Sequence, residues 1–183
     1  WLNINNARVR VNAGGDMWWD LPGGSGAKYY IPANGSATSL YAGSLWIAGM
    51  DINNQLKCAA IRFRQEGNDF WTGPLTVDGT ASIDAATCME YDKMYNITRA
   101  EVDDFLANCD ENGIPDAGYE IPNNILNWPA HGDPSRGMSY YLAPFFDRDE
   151  DGNYDPTQGD YPYYDITNEL CHTQTSTMEE DYV

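Results

Sequence analysis

The chain has 183 residues and a formal net charge of −18, from 28 acidic and 10 basic side chains. This charge argues against nucleic acid as a partner, because such binders need a basic face, and equally against an anionic lipid surface. Apolar residues make up 42% of the chain, which is too large a share for a disordered acidic tail. No run of 18 apolar residues occurs, so no membrane insertion is predicted. Composition therefore predicts an acidic, aromatic-rich globular protein and selects no activity.

Short β-strands are predicted through the first half of the chain. Alternating apolar residues predict a strand over 7–11, and a second short strand is predicted over 28–31. The run 39–49 is largely apolar with small residues interspersed, which is typical of a buried central strand. Together with the β pattern of 56–64 it predicts a hairpin. Glycine and proline lie mainly between these runs, as they do in the turns of an all-β domain.

One short α-helix is predicted over 99–109. Thr98 and Glu101 have the spacing of a capping box, with threonine as the N-cap and glutamate as the third helical residue. Apolar residues then recur at i, i+3, i+4 and i+7, which places them on one face of a helix: Val102, Phe105, Leu106 and Cys109. The fold class predicted is therefore all-β, mainly antiparallel and sandwich-like, with this one helix and long ordered loops. We expect a single β-rich domain over 1–183 that is the N-terminal part of a longer chain.

A calcium-binding loop is predicted over 147–160. Its first ten residues, DRDEDGNYDP, match the opening D-x-D-x-D-G of known calcium loops. Calcium takes six to eight oxygen ligands, and alternate residues of a tight loop can point toward one centre. Gly152 would permit the sharp turn. The predicted ligands are the side chains of Asp147, Asp149, Asp151 and Asp155, the backbone carbonyl of Asn153, and Asp160 as the closing carboxylate.

The loop differs from an EF-hand in two respects. An EF-hand would place glutamate at its twelfth position, where this chain has Gln158. Pro156 and Pro162 also interrupt any helix that would follow the loop. We therefore interpret it as an isolated calcium loop, and the alternative is a solvated acidic loop without a cation.

A weaker version of the pattern precedes this loop. Asp110, Asn112 and Asp116 form a possible second metal site, although one ligand position is missing. The alternative interpretation is a helix stop followed by a turn, which Gly113 favours.

The four cysteines leave two interpretations open. Their spacings fit no zinc site, so they are either buried free thiols or one or two disulfides of an exported protein. Sequence alone allows three pairings, and the first candidate is Cys88–Cys109, because these two flank a compact helical segment. The remaining cysteines are Cys58 and Cys171.

No catalytic motif is present, so the chain is predicted not to be an enzyme. The two histidines, His131 and His172, lie in no metal-binding or nucleophile motif, and His131 is interpreted as a loop histidine bonded to backbone. A glycoside hydrolase ranks last among the alternatives, because nearby carboxylate pairs are unspecific in so acidic a chain. Aromatic residues could form a platform on which sugars stack, or they could pack in the interior. The tryptophans whose exposure would distinguish these alternatives are Trp18, Trp19, Trp46 and Trp71.

Six segments, taken in order, resemble one family. They read NAGGDMWWD over 12–20, SLYAGSLWIAG over 39–49, GNDFWTGPL over 67–75, CMEYD over 88–92, WPAHG over 128–132 and GDYP over 159–162. This ordered set, which spans most of 1–165, resembles the N-terminal region of large secreted cell-surface proteins of Bacteroidota that are exported by the type IX secretion system. The resemblance implies an extracellular or outer cell-surface location, a longer parent chain, and calcium bound at Asp147, Asp149, Asp151 and Asp155. The sorting domain that ends such proteins does not lie within these 183 residues.

The function expected is a non-catalytic secreted or cell-surface structural or adhesion module with a calcium-stabilised loop. Ca²⁺ is the cofactor, and even a weak site, with a dissociation constant of about 10⁻⁴–10⁻³ M, would fill outside cells. The expected partners are other copies of the chain, other surface proteins or a glycan. Two alternatives are a subunit of an extracellular fibre that assembles by strand pairing and a carbohydrate-binding module.

Overall fold

The computed structural model describes residues 1–20, 23–24, 26–51, 53–62 and 69–164. The chain divides into two compact units, where the sequence indicated a single domain. The first unit consists of Trp1–Gly73 and Asp84–Lys93, and the second of Pro74–Ile83 and the chain from Met94 onward. Within the described residues, no helix has both the length and the apolar content that crossing a membrane requires.

The first unit consists mainly of short antiparallel strands. In its described part these are β1 (Leu2–Ile4), β2 (Ala7–Val9), β3 (Asp16–Met17), β4 (Tyr29–Tyr30), β5 (Gly43–Ser44), β6 (Trp46–Met50) and β7 (Leu56–Ala60). β2 lies between β1 and β4, β3 pairs with β5, and β6 pairs with β7 in a hairpin. One helix, α1 (Ala85–Glu90), begins at its N-cap Asp84, whose side chain accepts a hydrogen bond from the Thr87 N–H.

The predicted strands are largely confirmed, with one correction. β2, β4 and β7 fall within the predicted runs, β6 extends one residue beyond its run, and every pairing in this unit is antiparallel. The run 39–49 is not one buried strand, because Gly43–Ser44 pairs separately with β3 and every residue of β6 is exposed. An apolar run indicates a preference for burial, but burial also requires another layer to cover it.

The second unit is built around a small buried cluster. Its described helices and strands are α2 (Arg99–Ala107), α3 (Asn123–Leu126), β8 (Phe145–Phe146) and β9 (Tyr161–Pro162), with 3₁₀ helices at Pro134–Arg136 and Pro156–Gln158. β8 and β9 pair antiparallel. The buried cluster contains Val102, Phe105, Ile125, Tyr161 and Tyr163. The mainly antiparallel β class is confirmed, and the sequence pattern missed α1, α3 and the β8–β9 pair.

The predicted helix is confirmed and ends at Ala107, two residues before the predicted end. Its capping box is complete, because the Thr98 Oγ1 accepts the Glu101 N–H and the Glu101 carboxylate accepts the Thr98 N–H at 2.9 Å. Burial raises the pKa of Glu101, but hydrogen bonds from Thr98 and Asn124 outweigh it and lower the pKa overall. Val102 and Phe105 of this helix are fully buried, so the cap fixes the start of the element that supplies the core.

We expect Thr98→Ala to lower the free energy of unfolding by about 1 kcal/mol, because it removes the N-cap acceptor of α2. Thr98→Ser is the matched control, since its hydroxyl can still accept the Glu101 N–H, while the backbone N–H of residue 98 can donate to Glu101 in either variant. Urea unfolding of the two variants and the parent chain measures the difference. An alanine variant as stable as the serine variant would show that the hydroxyl of Thr98 contributes nothing to stability.

One turn occurs twice in the second unit. Asp133 and Asp155 are each followed by proline as the first residue of a 3₁₀ helix, and each carboxylate accepts the N–H and hydroxyl of the residue two positions on. Gly137 and Gly159 end the two turns in the left-handed region, at φ of 81° and 97°. The shared pattern is Asp-Pro-Ser/Thr-x-Gly, in which each residue type meets one geometric need of the turn.

The proposed Cys88–Cys109 disulfide is absent from the structure. All cysteines among the described residues are free thiols: Cys58, Cys88 and Cys109. Cys88 belongs to the first unit, where its Sγ lies 3.0 Å from the Thr72 Oγ1. Cys109 belongs to the second unit, where its thiol donates to the Phe105 carbonyl and burial raises its pKa. Cys171 lies outside the described residues.

Candidate metal centre

Three of the predicted ligands come together in the loop between β8 and the second 3₁₀ helix. Asp147, Asp149 and Asp151 each offer a carboxylate oxygen, and these oxygens lie within 4.8 Å of one another. Asp147 is partly buried, whereas Asp149 and Asp151 are exposed. Carboxylate oxygens that converge from alternate residues of a loop are the donor set that a hard cation takes.

Two residues in the left-handed region give the loop its shape. Glu150 has φ of 58° and Gly152 has φ of 80°, and the second position is the one where glycine was predicted to permit the turn. The Gly152 N–H donates to Oδ2 of Asp147 at 2.8 Å. This bond holds the first aspartate of the loop against the backbone five residues later.

The other oxygen of Asp147 is different. Oδ1 of Asp147 is buried and has no hydrogen-bond partner. A buried carboxylate oxygen without a donor is costly, because it has lost its hydration and gained nothing in return. A cation bound by the Asp147 carboxylate would offset this cost.

Asp160 closes the loop by hydrogen bonds to backbone. Its side chain is almost fully buried; Oδ1 accepts the Arg148 N–H at 2.9 Å and Oδ2 accepts the Asp155 N–H at 2.8 Å. Burial raises the pKa of this carboxyl, the two N–H donors oppose the rise, and the negative charges of Asp147 and Asp149 add to it. Asp160 therefore joins the two ends of the acidic loop and is not one of the three clustered ligands.

The remaining predicted ligands have other partners in the structure. Oδ1 of Asp155 caps the second 3₁₀ helix by accepting the N–H and hydroxyl of Thr157 at 2.8 and 2.7 Å. Oδ1 of Asn153 accepts a hydrogen bond from the Tyr140 hydroxyl. The Asn153 N–H in turn donates to Asp151 at 2.6 Å, and hydrogen bonding from Asn153 lowers the pKa of Asp151.

His131 and Tyr154 support the loop, and the sequence did not identify this role. The Tyr154 N–H donates to Nε2 of His131 at 2.8 Å, and Nδ1 of His131 lies 3.2 Å from the Tyr140 carbonyl. The Tyr154 hydroxyl donates to the Ile125 carbonyl at 2.7 Å, which ties the loop to α3. The interpretation of His131 as a backbone-bonded loop histidine is confirmed. The sequence signal for this supporting role was Tyr154, an aromatic residue within an otherwise polar loop.

The weaker candidate site forms a turn. Oδ1 of Asp110 accepts the N–H groups of Asn112 at 2.8 Å and Ile114 at 3.0 Å, and these bonds lower the pKa of Asp110. The Asp116 N–H donates to the Asn108 carbonyl at 2.9 Å. This arrangement supports the alternative interpretation, a helix stop followed by a turn.

The chain matches no protein-family model, no curated protein and no solved structure.

Proposed function

We propose that this chain is a non-catalytic secreted or cell-surface structural or adhesion module whose loop 147–160 is stabilised by Ca²⁺. The observation that carries the metal assignment is the buried Oδ1 of Asp147, which has no hydrogen-bond partner beside two further aspartates. Calcium suits the site better than magnesium, because it accepts irregular sets of carboxylate and carbonyl oxygens, whereas magnesium requires a near-ideal octahedron.

The extracellular location is part of the same proposal. It rests on the ordered resemblance to secreted surface proteins of Bacteroidota and on the fit of a weak calcium site to a calcium-rich medium. A sandwich-like arrangement of the sheets also belongs to the proposal. The described loop supports a structural role, because the carboxylates of Asp155 and Asp160 accept backbone N–H groups and the neighbouring His131 is bonded to backbone.

Calorimetric titration of the chelator-treated chain tests the metal site. We expect saturable heat with calcium, a much weaker response to magnesium, and a melting temperature that falls when chelator is added. Asp110→Asn is the control variant, because it changes the weaker candidate site and should leave the calcium response intact. A flat calcium titration together with a melting temperature insensitive to chelator would overturn the proposal.

A fibre subunit that assembles by strand pairing is a second candidate. The observation that favours it is the β6–β7 hairpin, in which every residue of β6 is exposed. Electron microscopy of the concentrated chain tests this candidate, and we expect filaments if it holds. A uniform field of small particles at every concentration would exclude it.

The carbohydrate-binding alternative retains two exposed tryptophans. Trp46 and Trp71 are 72% and 60% exposed, whereas Trp18 and Trp19 are partly buried. Because a sugar platform needs accessible rings, only Trp46 and Trp71 of these four tryptophans could contribute to one. Quenching or shift of tryptophan fluorescence by oligosaccharides, lost in Trp71→Ala, would favour this alternative over a structural module.

A further inference from the structure

One face of the β6–β7 hairpin is apolar and largely exposed. Trp46 is 72% exposed, Met50 62% and Leu56 71%. The three side chains lie on the same face, because Met50 pairs with Leu56 across the ladder and Trp46 lies four residues before Met50. A two-stranded ribbon is marginally stable in water, and three or more strands make a sheet stable. An additional strand would therefore stabilise this hairpin.

The outer edge of β6 has free backbone groups. The hydrogen bonds that bracket the ladder join the Asp51 N–H to the Gln55 carbonyl at 3.0 Å and the Ile61 N–H to the Leu45 carbonyl at 3.4 Å. Bonded and non-bonded pairs alternate along an antiparallel ladder, so the N–H and C=O groups of Trp46, Ala48 and Met50 point away from β7. Among the described residues, none forms a hydrogen bond to these groups.

The two edges of the hairpin differ in charge. Residues 45–50 carry no charged side chain. The β7 edge carries Lys57, and at its end the carboxylate of Asp69 accepts the Ala60 N–H at 2.9 Å. Charged groups along an edge strand prevent another chain from pairing there. The β7 edge has such protection and the β6 edge does not.

We propose that β6 pairs with β6 of a second copy of this chain, antiparallel about a two-fold axis at Ala48. The chain has a net charge of −18, so two copies repel each other over most of their surface, and the uncharged edge is where they can approach. The strand is also self-complementary about Ala48, because Trp46 of one copy would lie opposite Met50 of the other. Thioether–aromatic contacts of this kind are favourable.

The product is a four-stranded antiparallel sheet, ordered β7–β6–β6–β7. Because both copies contribute the same edge, the contact is isologous and closes at a dimer. The inference shares one observation with the fibre candidate, the exposed β6 strand, but does not require a fibre, which would need a second, different contact. It does not involve the aspartate loop, so we expect the same association in calcium and in chelator.

Sedimentation velocity over about two decades of protein concentration tests the pairing. The variant is Ala48→Lys, which places two lysines opposite each other across the two-fold axis. The matched control is Cys58→Lys, because Cys58 pairs with Ala48 on the same face but belongs to the β7 edge. Reducing agent excludes disulfide dimers, and circular dichroism confirms that both variants fold.

We expect a reversible dimer for the parent chain and for Cys58→Lys, and a dissociation constant at least about tenfold higher for Ala48→Lys, because like charges that face each other across an interface cost several kcal/mol. If Ala48→Lys does not fold, Ala48→Pro replaces it, since this proline removes only an outward N–H. A parent chain that is monomeric at every concentration overturns the inference. A dimer that is not weakened by whichever Ala48 variant folds also overturns it, and so does equal weakening by Cys58→Lys. A calcium-insensitive dimer with a flat calcium titration would separate this inference from the metal proposal.

Discussion

Asp160→Ala is expected to lower the free energy of unfolding by about 2–5 kcal/mol. The alanine removes the acceptor of two backbone N–H groups, those of Arg148 and Asp155. Each donor left without an acceptor costs about 1–3 kcal/mol when water cannot replace the bond. Because Asp160 is only 1% exposed, the alanine also leaves a small cavity beside Tyr161. Chemical denaturation of the parent and variant chains measures the loss.

Asp133→Ala is the matched control for this prediction. Asp133 occupies the same Asp-Pro-Ser/Thr-x-Gly turn as Asp155, but its carboxylate only caps an exposed 3₁₀ helix. We expect a clearly smaller loss of stability than for Asp160→Ala. Equal losses would mean that the buried bonds of Asp160 contribute no more than an ordinary surface cap.

Asp147→Asn is expected to weaken calcium binding by at least the ~10–100-fold that loss of a supporting group costs a metal site. In the parent chain, calcium at about 100 times its dissociation constant should add about 2.7 kcal/mol. For a chain of this size that corresponds to about 5–10 °C in melting temperature. At the same calcium concentration the variant should keep only about 0.4–1.4 kcal/mol of this stabilisation, and a correspondingly smaller shift, because it lacks the charge of the most buried ligand in the cluster.

The sign of the effect should reverse in chelator. Asp147, Asp149 and Asp151 repel one another when no cation lies between them. Asp147→Asn reduces that repulsion, so the calcium-free variant should melt at or above the temperature of the calcium-free parent. Asp110→Asn removes the same charge outside the cluster and serves as the control. A variant that keeps the full calcium shift would remove Asp147 from the site.

The features predicted from sequence were those encoded over a few neighbouring residues. The capping box of Thr98 and Glu101 and the apolar spacing of Val102 and Phe105 located α2 to within two residues of its end. The convergence of Asp147, Asp149 and Asp151 follows in the same way from their alternation. Local patterns of this kind need no knowledge of the rest of the fold.

The features that the sequence did not predict depend on residues far apart or on very short elements. The role of Asp160 depends on the pairing of β8 with β9, which are two residues each and too short for a period to be recognised. Asp155 has the spacing of a ligand, but the Asp-Pro-Ser/Thr-x-Gly turn uses its carboxylate as a cap. The exposure of β6 could not be predicted, because no local pattern shows which strands another layer covers.

The hydrogen bonds of Asp160 have a consequence for kinetics. They hold Arg148 and Asp155 at fixed positions whether or not an ion is present, so most of the entropy of closing the loop is lost during folding. An ion would then meet ligands that are already arranged and should associate rapidly. Its removal should speed amide hydrogen exchange most within 149–153, where local opening is enough, and should speed exchange of the flanking β8–β9 pair only as far as it lowers the free energy of global unfolding.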